Sequence, residues 1–403
     1  MRRQDDHLSQ GRKGKGEVID LVVSEVPLSD LDANEEMLQS GFWGRFKQDH
    51  GWRPHGFRVS AAGAGLEAFG LLVLTRRLAR FFTIAYVPFG PVVDPVAGRG
   101  DFLSSLAAAL RAHLPPGTMY LRFDLPWDKT GEAPLTRGKL PVRKSASDMQ
   151  PASTVVVDIV PPLEQVLGAM KPKTRYNVRL ASKKGVRVEE GGPADFDAWY
   201  QLYRETARRD RIAIHEAGYY RDLLEGSARS PGARPSVKLL LARHEGDLLA
   251  GNIVTFWRSR AAYLYGASSG EKRNLMPTYA LQWEAIRLAR EAGCASYDLF
   301  GVPPRPDPGH PMYGLYQFKT GFSDCVRERW GTWDVPFLAG AYLLYRAAEA
   351  ARMLYYRNIR KRGRNRGGGE AGAPSRAGGE AGATAAGAGP EPSSSHGLSG
   401  SST

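Results

Sequence analysis

Cysteine and histidine are scarce in this chain of 403 residues, and their spacing supports no metal site. The two cysteines, Cys294 and Cys325, have no second cysteine or histidine at metal-ligand spacing, and the eight histidines form no pair supported by carboxylates. We therefore expect no disulfide framework, no metal, no cofactor and a reducing, cytoplasmic environment. The phosphate-loop pattern G-x-x-x-x-G-K-[ST] is also missing from the sequence, which argues against ATP hydrolysis.

Long apolar runs are missing as well. The first residues, MRRQDDHLSQGRKGKGEV, are basic but lead into no apolar core, and the run FLAGAYLLY near the other end is too short to span a bilayer. We expect a protein that is neither exported nor membrane-spanning.

Acidic residues are outnumbered, at 42 Asp and Glu against 55 Lys and Arg, which gives a net charge of +13. The shortage is greatest in KPKTRYNVRLASKKGVRV (residues 171–188), where seven basic residues have no Asp or Glu among them. Such a balance favours partners that carry phosphates, whether nucleic acid, nucleotide sugars or anionic lipid. Charge alone does not choose among these partners.

The basic segment has the end signals of a helix, with Pro172 in the first turn and Gly185 after the last. Val178 and Ala181 would then face the protein, and the cations would form an outer face. We predict that this face contacts phosphates; its candidate residues are Lys171, Lys173, Arg175, Arg179, Lys183 and Lys184. A solvated basic surface is the alternative.

Strand-like and helix-like segments alternate between residue 19 and about 345, which predicts an α/β (α+β) fold. The order β-meander, loop, helix, strand occurs twice, so we expect two related acyltransferase-like units, at 19–150 and 151–332. Residues 1–18 are predicted to be flexible. The Gly/Ala/Ser-rich segment 367–403 repeats GGEAGA and is predicted to be a disordered tail.

The segment Gly266-Ala-Ser-Ser-Gly270 matches the G-x-S-x-G pattern of serine hydrolases. A nucleophile elbow needs a helix directly after its serine, but the polar stretch EKRNLMP follows here. We therefore interpret the segment as a loop between a strand and a helix.

Tyrosines recur in pairs along the second half of the chain, among them Tyr263 and Tyr265. Residues two apart on a strand point the same way, so we expect this pair to share one face, either in the core or at a cleft. In YQFKTGF, Lys319 follows Phe318 and could reach into a cleft or remain a surface cation.

Taken together, these segments resemble the Fem-type (FemX and FemAB) peptidyltransferases. The basic segment is similar to their K-x-R-x-N-I-x-x-A-x-K-x-G-V stretch, and LYGASSGEKRNLMPTYALQWEAIRLAREAGCASYDLFGV is similar to their Y-G-x-S-S … Q-W-E-A-I … G … Y-D block. LQSGFWGRFKQDHGW, GLYQFKTGF and WDVPF also match. The resemblance spans roughly residues 38 to 357 in the family's order.

The resemblance implies two GNAT-like domains facing across a groove, with a C-terminal helix at 333–362 packing back on the first. It also implies transfer of an amino acid from an aminoacyl-tRNA to an amine of the peptidoglycan stem peptide, which builds interpeptide bridges. The acceptor would be the lipid-linked or the UDP-linked precursor. We expect a monomer in the cytoplasm, with peripheral contact at the anionic inner face of the plasma membrane.

Site residues follow from the same resemblance. The family's precursor-binding lysine falls on Lys47, its catalytic-site lysine on Lys319 beside Phe318, and its third-strand tyrosines on Tyr263 and Tyr265. Where many relatives have an arginine four residues before a tyrosine, this chain has His215 before Tyr219, so Arg211 could supply the phosphate contact instead. The long charged helical hairpin of some members is absent from the sequence, which makes the compact FemX-like form the better comparison.

The chemistry that the resemblance implies needs alignment of an amine with an aminoacyl ester, removal of a proton and stabilisation of an oxyanion. We expect Lys319 to provide positive charge and a carboxylate, Asp298 or Asp94, to position the amine. Two alternatives remain open: an acyl-CoA-dependent N-acyltransferase, which lacks support because no [QR]-x-x-G-x-[GA] loop occurs, and a non-catalytic RNA-binding protein.

Overall fold

The computed structural model describes residues 20–61, 67–79, 81–129, 135, 140–210, 212–229, 235–303 and 305–351. The predicted flexible N-terminus, the predicted tail and the candidate residue Arg211 lie outside the described residues.

The first half begins with an edge strand and a helix that is held at its start by a side chain. The Ser40 hydroxyl accepts a hydrogen bond from the Trp43 N–H (3.1 Å), which caps the first helix. The elements of this half are β1 (Leu21–Val26), α1 (Gly41–Asp49), β2 (Arg53–Ala61), β3 (Phe69–Ala79), β4 (Phe82–Val87), α2 (Arg99–Leu110), β5 (Thr118–Asp128) and β6 (Arg143–Lys144), with short 3-10 turns at Leu28–Ala33, Met37–Gln39 and Arg111–His113.

The second half follows the end signals that its sequence carries. Pro172 and Pro277 open their helices, and Gly185 and Gly293 adopt positive φ just beyond the helix ends. The elements are β7 (Ser153–Asp158), α3 (Leu163–Ala169), α4 (Pro172–Lys183), β8 (Arg187–Glu190), α5 (Phe196–Asp210), α6 (Ala217–Arg229), β9 (Ser236–His244), β10 (Asp247–Trp257), β11 (Arg260–Ser268), α7 (Pro277–Glu291), β12 (Ser296–Gly301), α8 (Tyr313–Lys319) and β13 (Val326–Pro336), with 3-10 turns at Pro193–Asp195 and Arg273–Leu275.

Within the described residues the strands form one continuous sheet in the order β1-β2-β3-β4-β5-β13-β7-β12-β11-β10-β9-β8, with β6 beside β13. In each half an antiparallel meander (β2–β4 and β9–β11) is followed by a helix and a strand that pairs in parallel with the last meander strand. This repeat confirms the predicted α/β (α+β) class with GNAT-like order in both halves.

Strand β13 joins the two halves. Its first residues pair with β7, and Arg329–Pro336 pair with β5. The prediction of a helix from residue 333 is wrong at its start, because Trp333–Pro336 are held in the sheet by β5; the last helix, α9, occupies 339–351. In α9 the Tyr342 ring packs edge-on against Tyr120 of β5, with centroids 5.4 Å apart.

Three apolar layers fill the molecule. One lies between the first sheet half and α2, and another lies between the second half and helices α4, α7 and α8. The third lies between the halves and is contributed by α1, α5, α6, α9 and strands of both halves. The candidate site lies at the edge of this shared layer.

Candidate active site

A cavity of about 90 Å³ lies where the two halves meet. It is walled on one side by α1 and the strands of the first half and on the other by α6, β10, β11 and β12. The lining residues are Glu35, Glu36, Met37, Leu38, Trp43, Lys47, Trp52, Leu74, Tyr86, Pro88, Phe89, Met149, Gln150, Tyr219, Thr255, Trp257, Arg260, Ala261, Ala262, Leu264, Tyr265, Asp298 and Phe300.

Lys47 enters this cavity from α1 inside a cage of aromatic rings. Its Nζ lies 5.3 Å from the ring centroid of Tyr219 and 5.9 Å from those of Trp43 and Trp52, and the residue is 7% exposed. Ring faces attract a cation, so the cage fixes the ammonium group at the cavity wall. The predicted residues Lys47, Tyr219 and Tyr265 therefore come together, although they are far apart in the sequence.

An ion pair between the halves forms another part of the wall. Arg260 of β11 donates to the Glu36 carboxylate (3.1 Å), which also accepts the Leu38 N–H. Burial raises the pKa of Glu36, and the charge of Arg260 opposes this shift. The pair ties the loop before α1 to the second half.

Asp298 lies in the cavity as a fixed anion. Its carboxylate accepts hydrogen bonds from the Thr154 hydroxyl, the Phe300 N–H (2.7 Å) and the buried Arg329 guanidinium (2.8 Å). Burial alone would raise the pKa of Asp298, but Arg329 and these donors hold it below its ordinary value. Such a carboxylate can orient a neighbouring group but accepts a proton poorly.

Lys319 of α8 lies behind the cavity and is 0% exposed. Its Nζ donates to the carbonyls of Phe300 (3.2 Å) and Gly301 (3.0 Å) and lies 5.4 Å from the Tyr263 ring centroid. Burial lowers the pKa of Lys319 to about 7, although the nearby Asp298 opposes the shift. Lys319 is thus neither a surface cation nor part of the open cleft; it touches the cavity through the backbone of Phe300, whose side chain lines it.

The two tyrosines of β11 face opposite sides of the sheet, contrary to the prediction that they share a face. Tyr263 pairs with Val254 but Tyr265 pairs with Ile253, so Leu264 is an extra residue, a β-bulge. The bulge reverses the alternation: Tyr265 joins the layer between the halves, whereas Tyr263 joins the layer under α7 and α8. Phe318 lies on that second side, where it lines a smaller cavity with Tyr263.

A buried carboxylate beside the cavity was missed by sequence reasoning. The hydroxyl of the cavity-lining Tyr86 donates to Asp124 (3.3 Å), which also accepts from Thr332 (3.1 Å). Burial raises the pKa of Asp124 to about 7, while the Thr332 hydrogen bond opposes the shift. The available signal was the strand MYLRFDL, in which two charged residues, Arg122 and Asp124, stand two positions apart on an otherwise apolar strand.

Other predicted residues lie away from the cavity wall. Asp94 accepts two hydrogen bonds from Arg99 (2.7 Å each) in the loop before α2 and is not among the lining residues. His215 stacks on Tyr219, with ring centroids 3.9 Å apart. The G-x-S-x-G segment, interpreted above as a loop, begins inside β11: Ser268 is the last residue of that strand, and its hydroxyl accepts a hydrogen bond from Arg209 (3.1 Å).

The basic segment forms α4, as predicted, with Val178 and Ala181 buried. Two of its cations contact the protein itself: Arg175 donates to the carbonyls of Gly168 and Met170, and Lys171 Nζ lies 3.4 Å from the Thr320 hydroxyl. Arg175 is half-buried, and the cations exposed to solvent are Lys171, Lys173, Arg179, Lys183, Lys184 and Arg187.

The chain matches the model of the FemAB family over residues 141–227 and 238–350. It is 24% identical over 373 residues to a lipid II:glycine glycyltransferase of Staphylococcus haemolyticus, covering 75% of this chain and 88% of that protein, and 23% identical over 368 residues to one of Staphylococcus epidermidis, with the same coverage.

A solved structure shares the fold. The crystal structure of FemX superimposes with a TM-score of 0.66 at 19% identity, covering 80% of this chain and 99% of that one. At this identity the likeness concerns the fold. The match spans both halves of the chain.

Proposed function

Because the chain belongs to the FemAB family, we propose that it transfers an amino acid from an aminoacyl-tRNA to an amine of the peptidoglycan stem peptide, which builds an interpeptide bridge. The observation that carries the proposal is the cavity between the halves, where caged Lys47 faces Tyr219 and Tyr265. The staphylococcal relatives are named for lipid II, which favours the lipid-linked precursor as the acceptor.

In this reaction the acceptor nitrogen attacks the ester carbonyl carbon, a C–N bond forms, and the C–O bond to the tRNA ribose breaks. The amine loses a proton, and the ribose oxygen gains one. Lys47 would neutralise a phosphate of the precursor, since a cation in a partly desolvated aromatic cage binds anions strongly. Asp298 would orient the amine, because its carboxylate lies in the wall and stays charged.

Proton removal has a second candidate besides the substrate itself. Asp124, with a pKa of about 7, reaches the cavity through the Tyr86 hydroxyl. A pKa near the working pH suits a group that accepts a proton and returns it in each cycle. Lys319 would hold Phe300 in place and add positive charge behind the reacting carbonyl.

We also propose peripheral contact with an anionic membrane, where a lipid-linked acceptor would be found. Leu343 and Leu344 on α9 are 58% and 75% exposed. The sequence after residue 351 is strongly basic, with Arg357, Arg360, Lys361, Arg362, Arg364 and Arg366. Exposed leucines that are followed in the sequence by clustered cations suit an interface with anionic headgroups. Within the described residues, no helix has both the length and the apolar character needed to cross a bilayer.

The acceptor site is tested by measuring how lipid-linked and soluble precursors bind. The readout is the change in tryptophan fluorescence, to which Trp43 and Trp52 beside Lys47 contribute. The proposal predicts saturable binding that Lys47→Met weakens by roughly tenfold or more, since a lost hydrogen bond to a charged group costs about 1.5–3 kcal/mol. Lys129→Met, which changes a half-exposed lysine paired with Glu328, is the control. Binding that survives Lys47→Met unchanged would rule out this acceptor site.

A further inference from the structure

Tyr176 stands in the middle of the basic face of α4 and is 63% exposed. Lys173, Arg179 and Lys183 lie three or seven residues from it, which places all of them on neighbouring positions of one helix face. An exposed aromatic ring among cations, on a helix with no acidic residue, carries two complementary contacts for a nucleic acid: a stacking surface and phosphate partners.

We infer that Tyr176 is a stacking platform for an unpaired base at the 3′ end of the donor RNA; this inference rests on the proposed function. Side chains can stack on a base only where that base is free of its own duplex stack. A single-stranded end fits this requirement, and the flanking lysines and arginine would neutralise its phosphates.

The position of α4 supports this assignment. The Lys171 N–H donates to the Gly321 carbonyl (2.9 Å), and Lys171 Nζ lies 3.4 Å from the Thr320 hydroxyl, so the first turn of α4 packs on the residues that follow Lys319. Tyr176 lies five residues along the helix, a rise of roughly 7 Å. The exposed ring therefore lies within two helical turns of the point where α4 packs on the segment after Lys319.

The opposite face of α4 explains why Tyr176 is not a core residue. Thr174, Asn177, Val178 and Ala181 are buried against the second half. Tyr176 points away from this face and adds nothing to the packed layer. The ring is therefore available to a partner from solvent.

The test uses an RNA hairpin without an attached amino acid. Its single-stranded CCA end carries 2-aminopurine, whose fluorescence falls when the base stacks. We expect wild-type protein to quench the probe, Tyr176→Ala to weaken binding about tenfold and abolish the quench, and Tyr176→Phe to retain both. The salt dependence should separate base stacking from phosphate contact. Tyr176→Ala should leave the slope of log binding constant against log salt concentration unchanged, whereas Arg179→Ala should lower its magnitude by about one. Phe81→Ala, which removes a 72% exposed aromatic from the first half, is the matched control.

Unchanged quenching with Tyr176→Ala would overturn the inference, as would loss of quenching with Tyr176→Phe, which would assign the effect to the hydroxyl. If Tyr176→Ala weakened binding to anionic vesicles and left RNA binding intact, the face would belong to a membrane and the inference would fail. These outcomes are separate from a failure of the proposed function, which would appear as absent amino-acid transfer by the wild-type protein.

Discussion

Lys319 is a fully buried titratable residue next to the site. It is 0% exposed, and two backbone carbonyls and a tyrosine ring surround its Nζ. An enclosed ammonium group loses its hydration, which lowers the pKa of Lys319 to about 7. A buried lysine with a lowered pKa beside a cavity fits the role proposed for Lys319.

The stability of the protein should therefore depend on pH through Lys319. Between pH 7 and the ordinary lysine pKa, the unfolded chain binds a proton that the folded chain has released, so the free energy of unfolding rises with pH. We expect a rise of about 2 kcal/mol between pH 7 and pH 9 from this residue. Urea unfolding of wild type and Lys319→Met at both values measures it. An equal pH dependence of the free energy of unfolding in the two proteins would show that burial does not lower the pKa of Lys319.

At acidic pH the rate of transfer should depend on the ionisation of Asp124. If Asp124 accepts the proton, its ionised form is needed, so kcat/KM should rise as pH increases through about 7. Asp124→Asn should remove this acid limb and lower the rate by roughly a hundredfold or more. A pH–rate profile of both proteins provides the measurement. If the acid limb persists in Asp124→Asn, the proton goes to another group.

Lys47, Tyr219 and Tyr265 were predicted from motif resemblance, because each lies in a local pattern that the chain itself displays. Asp124 could not be found in this way. Its environment is set by Thr332, 208 residues further along, which pairs opposite it on β13. Local sequence identifies strand β5, but only the distant pairing decides that Asp124 is buried beside the cavity.

At the scale of elements, the bulge in β11 organises the site. The extra residue Leu264 directs Tyr265 to the cavity between the halves and Tyr263 to Lys319. Alternation with a period of two could not reveal this, because a bulge has no reliable sequence signature. The helices were easier to predict: α4 and α7 carry proline at the start and glycine just past the end.

Gly266 makes this arrangement possible. A Cβ at that position would lie 1.7 Å from the Tyr263 hydroxyl, so any side chain would displace the tyrosine. We expect Gly266→Ala to lower the free energy of unfolding by about 1–3 kcal/mol, a typical cost of overpacking, and to impair transfer by moving Tyr263. Gly270→Ala is the matched control, since nothing lies within 4 Å of its Cβ. Denaturant unfolding measures the effect. A similar decrease in the free energy of unfolding for Gly266→Ala and Gly270→Ala would contradict this explanation.

At the scale of the whole molecule, the two halves form one sheet and share an apolar layer. Strand β13 pairs with both halves, and the Glu36–Arg260 ion pair crosses between them beside the cavity. The sequence predicted the repeated order of elements within each half. It did not predict the joining strand, because WGTWDVP lacks a clear strand alternation and takes its conformation from β5.

The proposed membrane contact also belongs to this scale. We expect sedimentation with vesicles that contain anionic lipid, and Leu344→Ser should weaken it by removing an exposed apolar side chain from α9. Val22→Ser changes an exposed apolar residue on the edge strand β1, 55% exposed against 75% for Leu344, and serves as the control. Equal sedimentation of all three proteins would remove α9 from the membrane contact.

The measurement that tests the central claim most directly is transfer of a labelled amino acid from a charged tRNA pool to lipid-linked and soluble precursors. Each reaction is run with and without ribonuclease pretreatment of the donor. The proposed function predicts label in a precursor, lost after ribonuclease, which also identifies the amino acid and the acceptor. Failure of any label to reach either precursor, with intact charged tRNA and folded protein, would contradict it.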